Sequence, residues 1–354
     1  MSKRMSRRKF LSCAALGSLA IAERTRAVAS AAAGATKPFE FGTAPGVDSS
    51  ALFVAIDKGF FAKHGIDGKV NLFPTGVEMI NAMTAGKIFA ATVGTVVFFT
   101  SVTKGLPIQI MGVVHGNASA ENYSSSSIVA GPNAGVGKGE IAKLKGKKVG
   151  TPLGTDGEGA LRAFLKSANV SHTELQVINI RPADMVSALQ QGSIDAFCVF
   201  EPWPSLAITQ VTGSVRVNTA VAPTFGPGIF ITTPDVIKSN RDLLVAFLAA
   251  FAEAQQWARQ NKGELVQIIR RYVTGLSEAA VNEALNYVRF DCRMSRFVVD
   301  GFKNKTIPDL VGLQVIKEAF DPAKSIDYGL MVEVQKTYPQ FFSDLPPIPA
   351  NAQL

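Results

Sequence analysis

Residues 144–206 constrain the fold more than any other stretch, because strand and helix patterns alternate along them at short, regular intervals. The patterns predict, in order, a strand, a helix, a strand, a helix and a strand, at 147–151, from about 157, at 176–180, at 182–191 and at 194–199. This order is two successive βαβ units in a parallel sheet. The loops at 153–159 and 200–203 then follow strand ends, where open α/β sheets bind ligands.

Part of this block has a counterpart earlier in the chain. Residues 77–95 align without gaps to residues 183–201, at a constant offset of 106 residues. The identical pairs are Met79/Met185, Ala82/Ala188, Gly86/Gly192, Ile88/Ile194, Ala90/Ala196 and Val93/Val199. In each copy an amphipathic helix ends near a glycine, which tolerates the left-handed conformation common after helices, and a strand follows. The repeat predicts two similar lobes with a ligand cleft between them.

The positive charge of the chain is concentrated at its beginning. The formal net charge is +8, and residues 1–29 hold seven basic residues and one acidic residue, a net of +6 that leaves about +2 for the rest. Nucleic-acid-binding domains need a basic patch on the folded surface. No such patch with interleaved aromatic residues follows, and we therefore expect no nucleic-acid partner.

Residues 1–36 have the pattern of an export signal followed by a short linker. The stretch SRRKFL at 6–11 matches the twin-arginine signal, and a short apolar run follows it. Small residues suitable for signal cleavage lie between Ala29 and Ala33. We expect export through the twin-arginine route and a mature protein in the periplasm; the alternative is a cytosolic basic tail.

The chain lacks the residue patterns of common enzymes and metal sites. Cys198 and Cys292 are far apart, and each histidine stands alone, so we interpret the histidines, including His115, as surface or turn residues. No nucleophile motif is present, and the glycine-rich stretch 131–139 lacks the Ser or Thr of a phosphate-binding loop. We predict no catalytic residue, no metal site and no cofactor, and hence a protein that is not an enzyme.

Several short motifs, in order along the chain, resemble one protein family. FVAIDKGFFAKHGI at 53–66 resembles that family's opening A-x-x-x-G-F-F-x-x-x-G-L pattern, and LKGKKVG at 144–150 resembles its second-lobe strand. GSIDA at 192–196 matches its G-x-V-D-A turn, and EPW at 201–203 matches a loop. The family is that of periplasmic solute-binding proteins of ABC importers, in the nitrate, sulfonate, taurine and thiamine-pyrimidine branch. Phe89 departs from the pattern, because an aspartate is usual there.

The resemblance implies an α/β fold with two lobes, the type II-like arrangement of periplasmic binding proteins. Each lobe would be a mainly parallel sheet flanked by helices, and two crossing strands near 125–130 and 229–233 would form the hinge. The implied division is a signal and linker at 1–36, lobe one at 37–127 plus 234–354 with the C-terminal helices, and lobe two at 128–233.

Nine residues lie in loops that the two lobes would turn toward the cleft, and we predict that they contact ligand: Asp48, Ser49, Gly94, Thr95, Gly154, Thr155, Asp156, Glu201 and Trp203. Free N–H groups at the helix start after Gly154 suit an anionic group. Asp48 is alternatively a helix cap. Glu201 would either neutralise a ligand amine or brace its loop, and Trp203 would either form an apolar wall or pack in the core.

The facing helix-start loops and Glu201 predict a protein that captures a small anionic or zwitterionic solute of the sulfonate, taurine or nitrate class. The resemblance implies that capture occurs by hinge closure. The resemblance implies that the liganded monomer delivers this solute to an ABC permease in the inner membrane. Three alternatives stay open on the sequence. One is an aromatic or heterocyclic solute, such as a thiamine-pathway pyrimidine, stacked on Trp203, Phe98 and Phe99. The others are a periplasmic enzyme and a sensor on the same scaffold.

Overall fold

The computed structural model describes residues 36–116, 118, 124–220 and 226–354. The predicted export signal and its cleavage region lie outside these residues. In the part of the chain that is described, no helix combines the length and the apolar character needed to cross a membrane.

Ten strands form in the described residues, and most are rich in β-branched or aromatic residues, which pack well on a pleated sheet. In chain order they are β1 (Lys37–Thr43), β2 (Ile66–Leu72), β3 (Ala90–Gly94), β4 (Gln109–His115), β5 (Ser126–Ala130), β6 (Lys148–Thr151), β7 (Gln176–Asn179), β8 (Ala196–Phe200), β9 (Val215–Arg216) and β10 (Gly228–Thr232).

Thirteen α-helices lie between and after these strands in the described residues: α1 (Ser50–Asp57), α2 (Phe60–Lys63), α3 (Gly76–Thr84), α4 (Thr95–Thr103), α5 (Asp156–Ser167), α6 (Pro182–Gln190), α7 (Trp203–Gln210), α8 (Pro234–Gln260), α9 (Lys262–Tyr272), α10 (Glu278–Ala284), α11 (Arg296–Gly301), α12 (Ile307–Gly312) and α13 (Gly329–Thr337). A π-helical turn, Phe302–Thr306, joins α11 to α12. Short 3₁₀ turns occur at Ile141–Leu144, His172–Glu174, Pro322–Ser325, Pro339–Phe342 and Ala350–Ala352.

The strands form two five-stranded sheets with equivalent orders. The first sheet has the order β2-β1-β3-β10-β4, and the second has the order β7-β6-β8-β5-β9. In each sheet the first three strands in this order are parallel to one another. The fourth strand, β10 or β5, runs antiparallel to both of its neighbours. The predicted α/β fold with two lobes is therefore confirmed, and each sheet is mixed because it contains one reversed strand.

The sequence repeat marks equivalent elements of the two lobes. α3 and α6 begin and end at positions 106 residues apart, and so do β3 and β8. Gly86 and Gly192 follow the two helices with φ of 70° and 72°, the left-handed conformation that glycine adopts without a steric penalty. The two predicted βαβ units are also present, because β6 pairs in parallel with both β7 and β8.

The stretches that we expected to cross between the lobes form β5 and β10. β5 pairs with β8 and β9 in the second sheet, whereas β10 pairs with β3 and β4 in the first sheet. Strand pairing thus places residues 228–232 with the first sheet, although we expected them in the second lobe. The other lobe boundaries stay predictions.

Aromatic rings form the centre of the first lobe. Phe247 of α8 is fully buried, and its ring centroid lies 4.6 Å from that of Phe39, 5.2 Å from Phe41, 5.3 Å from Phe230 and 5.5 Å from Phe61. These rings come from strands β1 and β10 and from α2, so they join one face of the sheet to the C-terminal helices. The packing therefore connects β1 and β10 to α8.

Candidate ligand-binding cleft

A cavity of about 140 Å³ lies between the two lobes, where the central strands end. Its polar walls come from both lobes and consist of Asp48, Ser49, Thr75, Thr92, His115, Ser125, Ser126, Thr155 and Asp156. Its apolar walls are Ala44, Pro74, Met79, Val93, Val97, Val114, Pro152, Pro182 and Phe200. A mostly apolar lining with a few convergent polar groups is typical of sites for small molecules.

Four helices begin at this cavity. Their N-cap residues, which line it, are Ser49 before α1, Thr75 before α3, Gly94 before α4 and Thr155 before α5. The hydroxyls of Thr75 and Thr155 accept hydrogen bonds from backbone N–H groups of the first helical turn, a role for which threonine is well suited. Because helix starts carry partial positive charge, these four ends together favour negative charge in the cavity.

Asp48 and His115 form a polar pair on the first-lobe side of the cavity. The Asp48 carboxylate lies 3.3 Å from Nε2 of His115 and accepts a hydrogen bond of 2.8 Å from the N–H of Ser49. His115 is 4% exposed, and it lines the cavity at the end of β4. The interpretation of His115 as a surface or turn residue was therefore wrong. Its place at the end of a strongly apolar strand is the signal that would have identified it.

Asp156 brings the two lobes into contact. Its Oδ1 accepts a hydrogen bond of 2.9 Å from the Thr95 hydroxyl and one of 3.0 Å from the N–H of Val96, both on the first lobe. Loss of solvent around the carboxyl raises the pKa of Asp156, while these hydrogen bonds and the nearby His115 partly offset that rise. The predicted cleft residues Thr95 and Asp156 are therefore neighbours across the cleft.

Gly154 supports the loop before α5 and does not line the cavity. Its φ is 73°, a left-handed conformation that favours glycine. Its N–H donates a 2.7 Å hydrogen bond to Glu158, which ties the loop to the first turn of α5. Of the nine predicted contacts, five line the cavity, namely Asp48, Ser49, Gly94, Thr155 and Asp156. Their contact with a ligand stays a prediction.

Glu201 and Trp203 lie away from the cavity lining, which corrects their predicted placement. The carboxylate of Glu201 is fully buried, lies 3.0 Å from Nη1 of Arg216 and accepts a 3.2 Å hydrogen bond from the N–H of Ser205. The Glu201 carboxylate points away from the cavity because its partners, Arg216 and the N–H of Ser205 in the first turn of α7, lie in the interior. Trp203 packs against the hydrophobic core. The preceding residue, Phe200, lines the cavity instead. Burial raises the pKa of Glu201 to about 7, and Arg216 opposes that rise.

The aromatic residues expected to stack on a heterocyclic solute do not face the cavity. Phe98 and Phe99 are fully buried in the first-lobe core, with their rings in contact with each other. Phe200 is the aromatic residue among the described lining residues. A stacking site made of several rings, as in the heterocyclic alternative, is therefore not formed by the residues predicted for it.

The cysteines are embedded in the lobes. Cys198 and Cys292 are both buried, and the loss of solvent raises the pKa of the Cys198 thiol and raises that of Cys292 to about 12. Such thiols are poor nucleophiles, because the reactive form is the thiolate. Among the residues that the structure describes, no group of three or more His, Cys, Asp or Glu side chains is arranged to hold a metal ion.

Known proteins resemble this chain in sequence and in fold. A model of the NMT1-like family matches residues 32–270, more than half of the chain. A putative binding protein from Brucella abortus is 28% identical over 229 residues, which cover 64% of this chain and 68% of that protein.

Solved structures share the two-lobed fold at low sequence identity. The alkanesulfonate-binding protein from Xanthomonas axonopodis pv. citri, bound to MOPS, aligns with a TM-score of 0.70 and 16% identity over 84% of this chain and 100% of that chain. The periplasmic nitrate-binding protein from Synechocystis PCC 6803 aligns with a TM-score of 0.71 and 20% identity over 90% and 92%. A desulfurization enzyme aligns with a TM-score of 0.62 and 11% identity over 85% and 99%. At these identities the likeness concerns the fold alone.

Proposed function

This chain belongs to the NMT1-like family, and on that premise we propose that it is the solute-binding component of an ABC importer. The observation that carries the proposal is the cavity of about 140 Å³ between the lobes, at which four helices begin. The relative from Brucella abortus is named as a putative binding protein. Two structural neighbours are named as binding proteins for an alkanesulfonate and for nitrate. The proposed ligand is a small anionic or zwitterionic solute of the sulfonate, taurine or nitrate class.

The size of the cavity supports a small ligand. A cavity of about 150 Å³ accommodates benzene, so the present 140 Å³ suits a solute of a similar number of non-hydrogen atoms. Taurine, methanesulfonate and nitrate fall within that size. A larger sulfonate would require the lobes to be further apart than they are in this structure.

The charges around the cavity favour a zwitterion over a simple anion. The helix starts attract an oxyanion, but two carboxylates, Asp48 and Asp156, also line the cavity. Neither lysine nor arginine is among the described lining residues. A sulfonate that also carries an ammonium group would satisfy the helix starts and the carboxylates together, which a monoanion does not.

The proposed working cycle follows from the two lobes. In the periplasm the open protein binds solute at one lobe, the lobes close by rotation about their connections, and the closed monomer delivers the solute to an inner-membrane permease. The chain would act as a carrier without changing its ligand.

A thermal-unfolding screen of the mature protein tests the ligand class. We expect taurine to stabilise the folded protein by about 2.7 kcal/mol at 100 times its dissociation constant, because a ligand that binds only the native state shifts the unfolding equilibrium. Methanesulfonate and nitrate should stabilise it less at equal concentration, and an aminopyrimidine serves as the heterocyclic control. Absence of stabilisation by every sulfonate, taurine and nitrate would contradict the proposed class. Mass spectrometry of the recovered ligand distinguishes binding from turnover.

Replacement of Ala44 by tryptophan tests the location of the site. Ala44 lines the cavity just after β1 and is only partly buried, so an indole there would fill the cavity without entering the core. We expect calorimetry to show an affinity for the solute that is weaker by about 100-fold. The thermal unfolding midpoint of the ligand-free protein should change little. The conservative variant Ala44→Ser should bind like the parent. Full affinity in Ala44→Trp would place the ligand elsewhere.

A further inference from the structure

The carboxylate of Asp156 occupies a position on the opposite lobe. Asp156 is the first residue of α5 in the second lobe, yet its Oδ1 accepts hydrogen bonds from Thr95 and Val96, at the start of α4 in the first lobe. Hydrogen bonds to an ionised acceptor are stronger than those between neutral groups. The positive end of α4 adds to this attraction. The contact therefore connects the lobes directly.

The carboxylate of Asp156 fits against the first lobe because residue 94 is a glycine and has no side chain there. A Cβ atom placed on Gly94 would lie 1.5 Å from Oδ2 of Asp156. The conformation of Gly94, φ −80° and ψ 156°, is open to any residue. Glycine is thus required there by the approach of Asp156 and not by its backbone angles.

The sequence repeat shows that this arrangement belongs to one lobe. The position in the second lobe that corresponds to Gly94 at the offset of 106 residues is Phe200, and the one that corresponds to Thr95 is Glu201. Those two residues are bulky, and Glu201 is buried against Arg216. Only the first lobe has both the missing side chain and the hydroxyl that receive a carboxylate from across the cleft.

We infer that Asp156 is a specificity-determining residue that holds the lobes together in the place of a ligand's oxyanion. Its hydrogen bonds stabilise the closed form even without solute, so they must break when the cleft opens to admit solute. A monoanion in the closed cleft must displace the Asp156 carboxylate from the start of α4 or accept its repulsion. The inference rests on the proposed function, because it concerns the solute of the same cleft. It also specifies the solute further: a cationic group on the solute would offset the repulsion between the solute's oxyanion and the carboxylate of Asp156.

Three variants separate the hydrogen-bonded contact between the lobes from the charge of Asp156. Gly94→Ala keeps the charge of Asp156 but removes the space for its carboxylate, so the lobes should open in the absence of ligand. Asp156→Asn keeps an oxygen acceptor for Thr95 and Val96 but removes the charge. The lobes should then stay closed, and the affinity for monoanions should rise. Asp156→Ala removes both, so it should open the lobes and also bind monoanions more tightly.

Small-angle X-ray scattering of the ligand-free mature protein measures closure, and calorimetry with taurine, methanesulfonate and nitrate measures selectivity. We expect a larger radius of gyration for Gly94→Ala and Asp156→Ala than for the parent and Asp156→Asn. We expect roughly tenfold tighter binding of methanesulfonate and nitrate to Asp156→Asn, since like charges in contact are strongly unfavourable. Circular dichroism verifies folding.

The controls are Gly263→Ala, where an added methyl meets no atom within 4 Å, and Asp67→Asn, which removes an exposed charge on β2. Both should leave the radius of gyration and the affinities unchanged. An unchanged radius of gyration in Gly94→Ala and Asp156→Ala would overturn the inference even if solutes bind. A change in closure with no binding of any tested solute would instead refute the proposed function alone. Equal anion affinities in the parent and Asp156→Asn would remove the role in specificity.

Discussion

Replacing Arg216 by methionine is expected to lower the free energy of unfolding by about 3–5 kcal/mol at pH 8, the usual cost of leaving a buried charge without its partner. The partner is Glu201, whose side chain is fully buried, whereas that of Arg216 is 12% exposed, and the two lie 3.0 Å apart. Urea-induced unfolding followed by circular dichroism measures this loss.

Arg216 also connects elements that are distant in the chain. Its Nη2 donates a 3.1 Å hydrogen bond to the Ser205 hydroxyl, and its guanidinium lies 3.7 Å from the centre of the Tyr287 ring. Nη2 is also 3.8 Å from the carboxylate of Glu283 on α10. Glu283 and Tyr287 come after β10, the last strand of the first sheet. Arg216 lies in β9 of the second sheet, and Glu201 directly follows β8 of that sheet. Loss of Arg216 therefore also weakens a contact between the lobes.

The destabilisation by Arg216→Met should depend on pH in a defined direction. Burial raises the pKa of Glu201 from 4.5 to about 7 in the folded protein. A folded state with a raised pKa binds the proton more tightly than the unfolded state, so the contribution of Glu201 to stability is largest below pH 4.5 and declines as pH rises to about 7. Without Arg216 the pKa rises further and the decline extends to higher pH. The variant should thus lose much less stability at pH 5 than at pH 8.

Two further variants separate the buried pair from an ordinary ion pair. The double variant Glu201→Leu/Arg216→Met should recover most of the lost stability, because no charge is then left buried. Arg241→Met breaks a pair with Glu333 in which both side chains are more than 40% exposed, and it should cost at most about 1 kcal/mol. Equal losses for Arg216→Met and Arg241→Met, or a loss that does not depend on pH, would contradict this account.

Truncation of Phe247 to alanine is expected to lower the free energy of unfolding by about 3–5 kcal/mol, the range for deleting a buried aromatic ring. Phe247 has no solvent exposure, and it is in ring contact with Phe39, Phe41, Phe61 and Phe230. These neighbours are held by two strands and one helix, so they cannot collapse fully into the space left by the ring. Chemical denaturation is again the measurement.

The matched comparison is Phe247→Leu, which retains much of the buried volume and should lose clearly less than the alanine variant. Phe89→Ala provides a second comparison, because Phe89 stacks on Phe39 but is only partly buried. A loss below about 1 kcal/mol for Phe247→Ala would show that the first-lobe core does not depend on this ring. Ala44 follows β1 and Gly228 begins β10, and both line the cavity, so we expect the alanine variant also to bind solute less tightly.

Most of the fold could be predicted from local patterns in the sequence. The patterns in 144–206 predicted three strands and two helices of the second lobe, and each predicted end lies within two residues of the observed one. The repeat predicted the equivalent lobes, and its glycines predicted both helix ends. The motifs predicted a likeness to periplasmic solute-binding proteins, which is confirmed by the family match and by the fold of the solved neighbours.

The candidate site was predictable only in part. Helix starts depend on local patterns that are visible in the sequence, so the loops before α1 and α5 could be predicted, and Ser49 and Thr155 of these loops line the cavity. Their contact with a ligand stays a prediction. His115 was missed because a lone histidine has no partner at metal-ligand or catalytic spacing, and its place at the end of the apolar strand β4 is the only local sign of its burial. Glu201 was placed at the cavity because it follows a strand, but the first turn of α7 and Arg216 draw its carboxylate into the interior.

Periodicity, capping residues and glycine positions act over a few residues, so the order of strands and helices in 144–206, the duplication and several helix starts follow from the amino-acid sequence alone. The contacts between side chains of different elements follow only from the three-dimensional arrangement. Asp156 and Thr95 are 61 residues apart in the chain, and their hydrogen bond exists because the two sheets bring the starts of α4 and α5 together. The direction of a side chain at such a contact depends on partners from both lobes. The sequence around one partner contains no pattern that identifies the other.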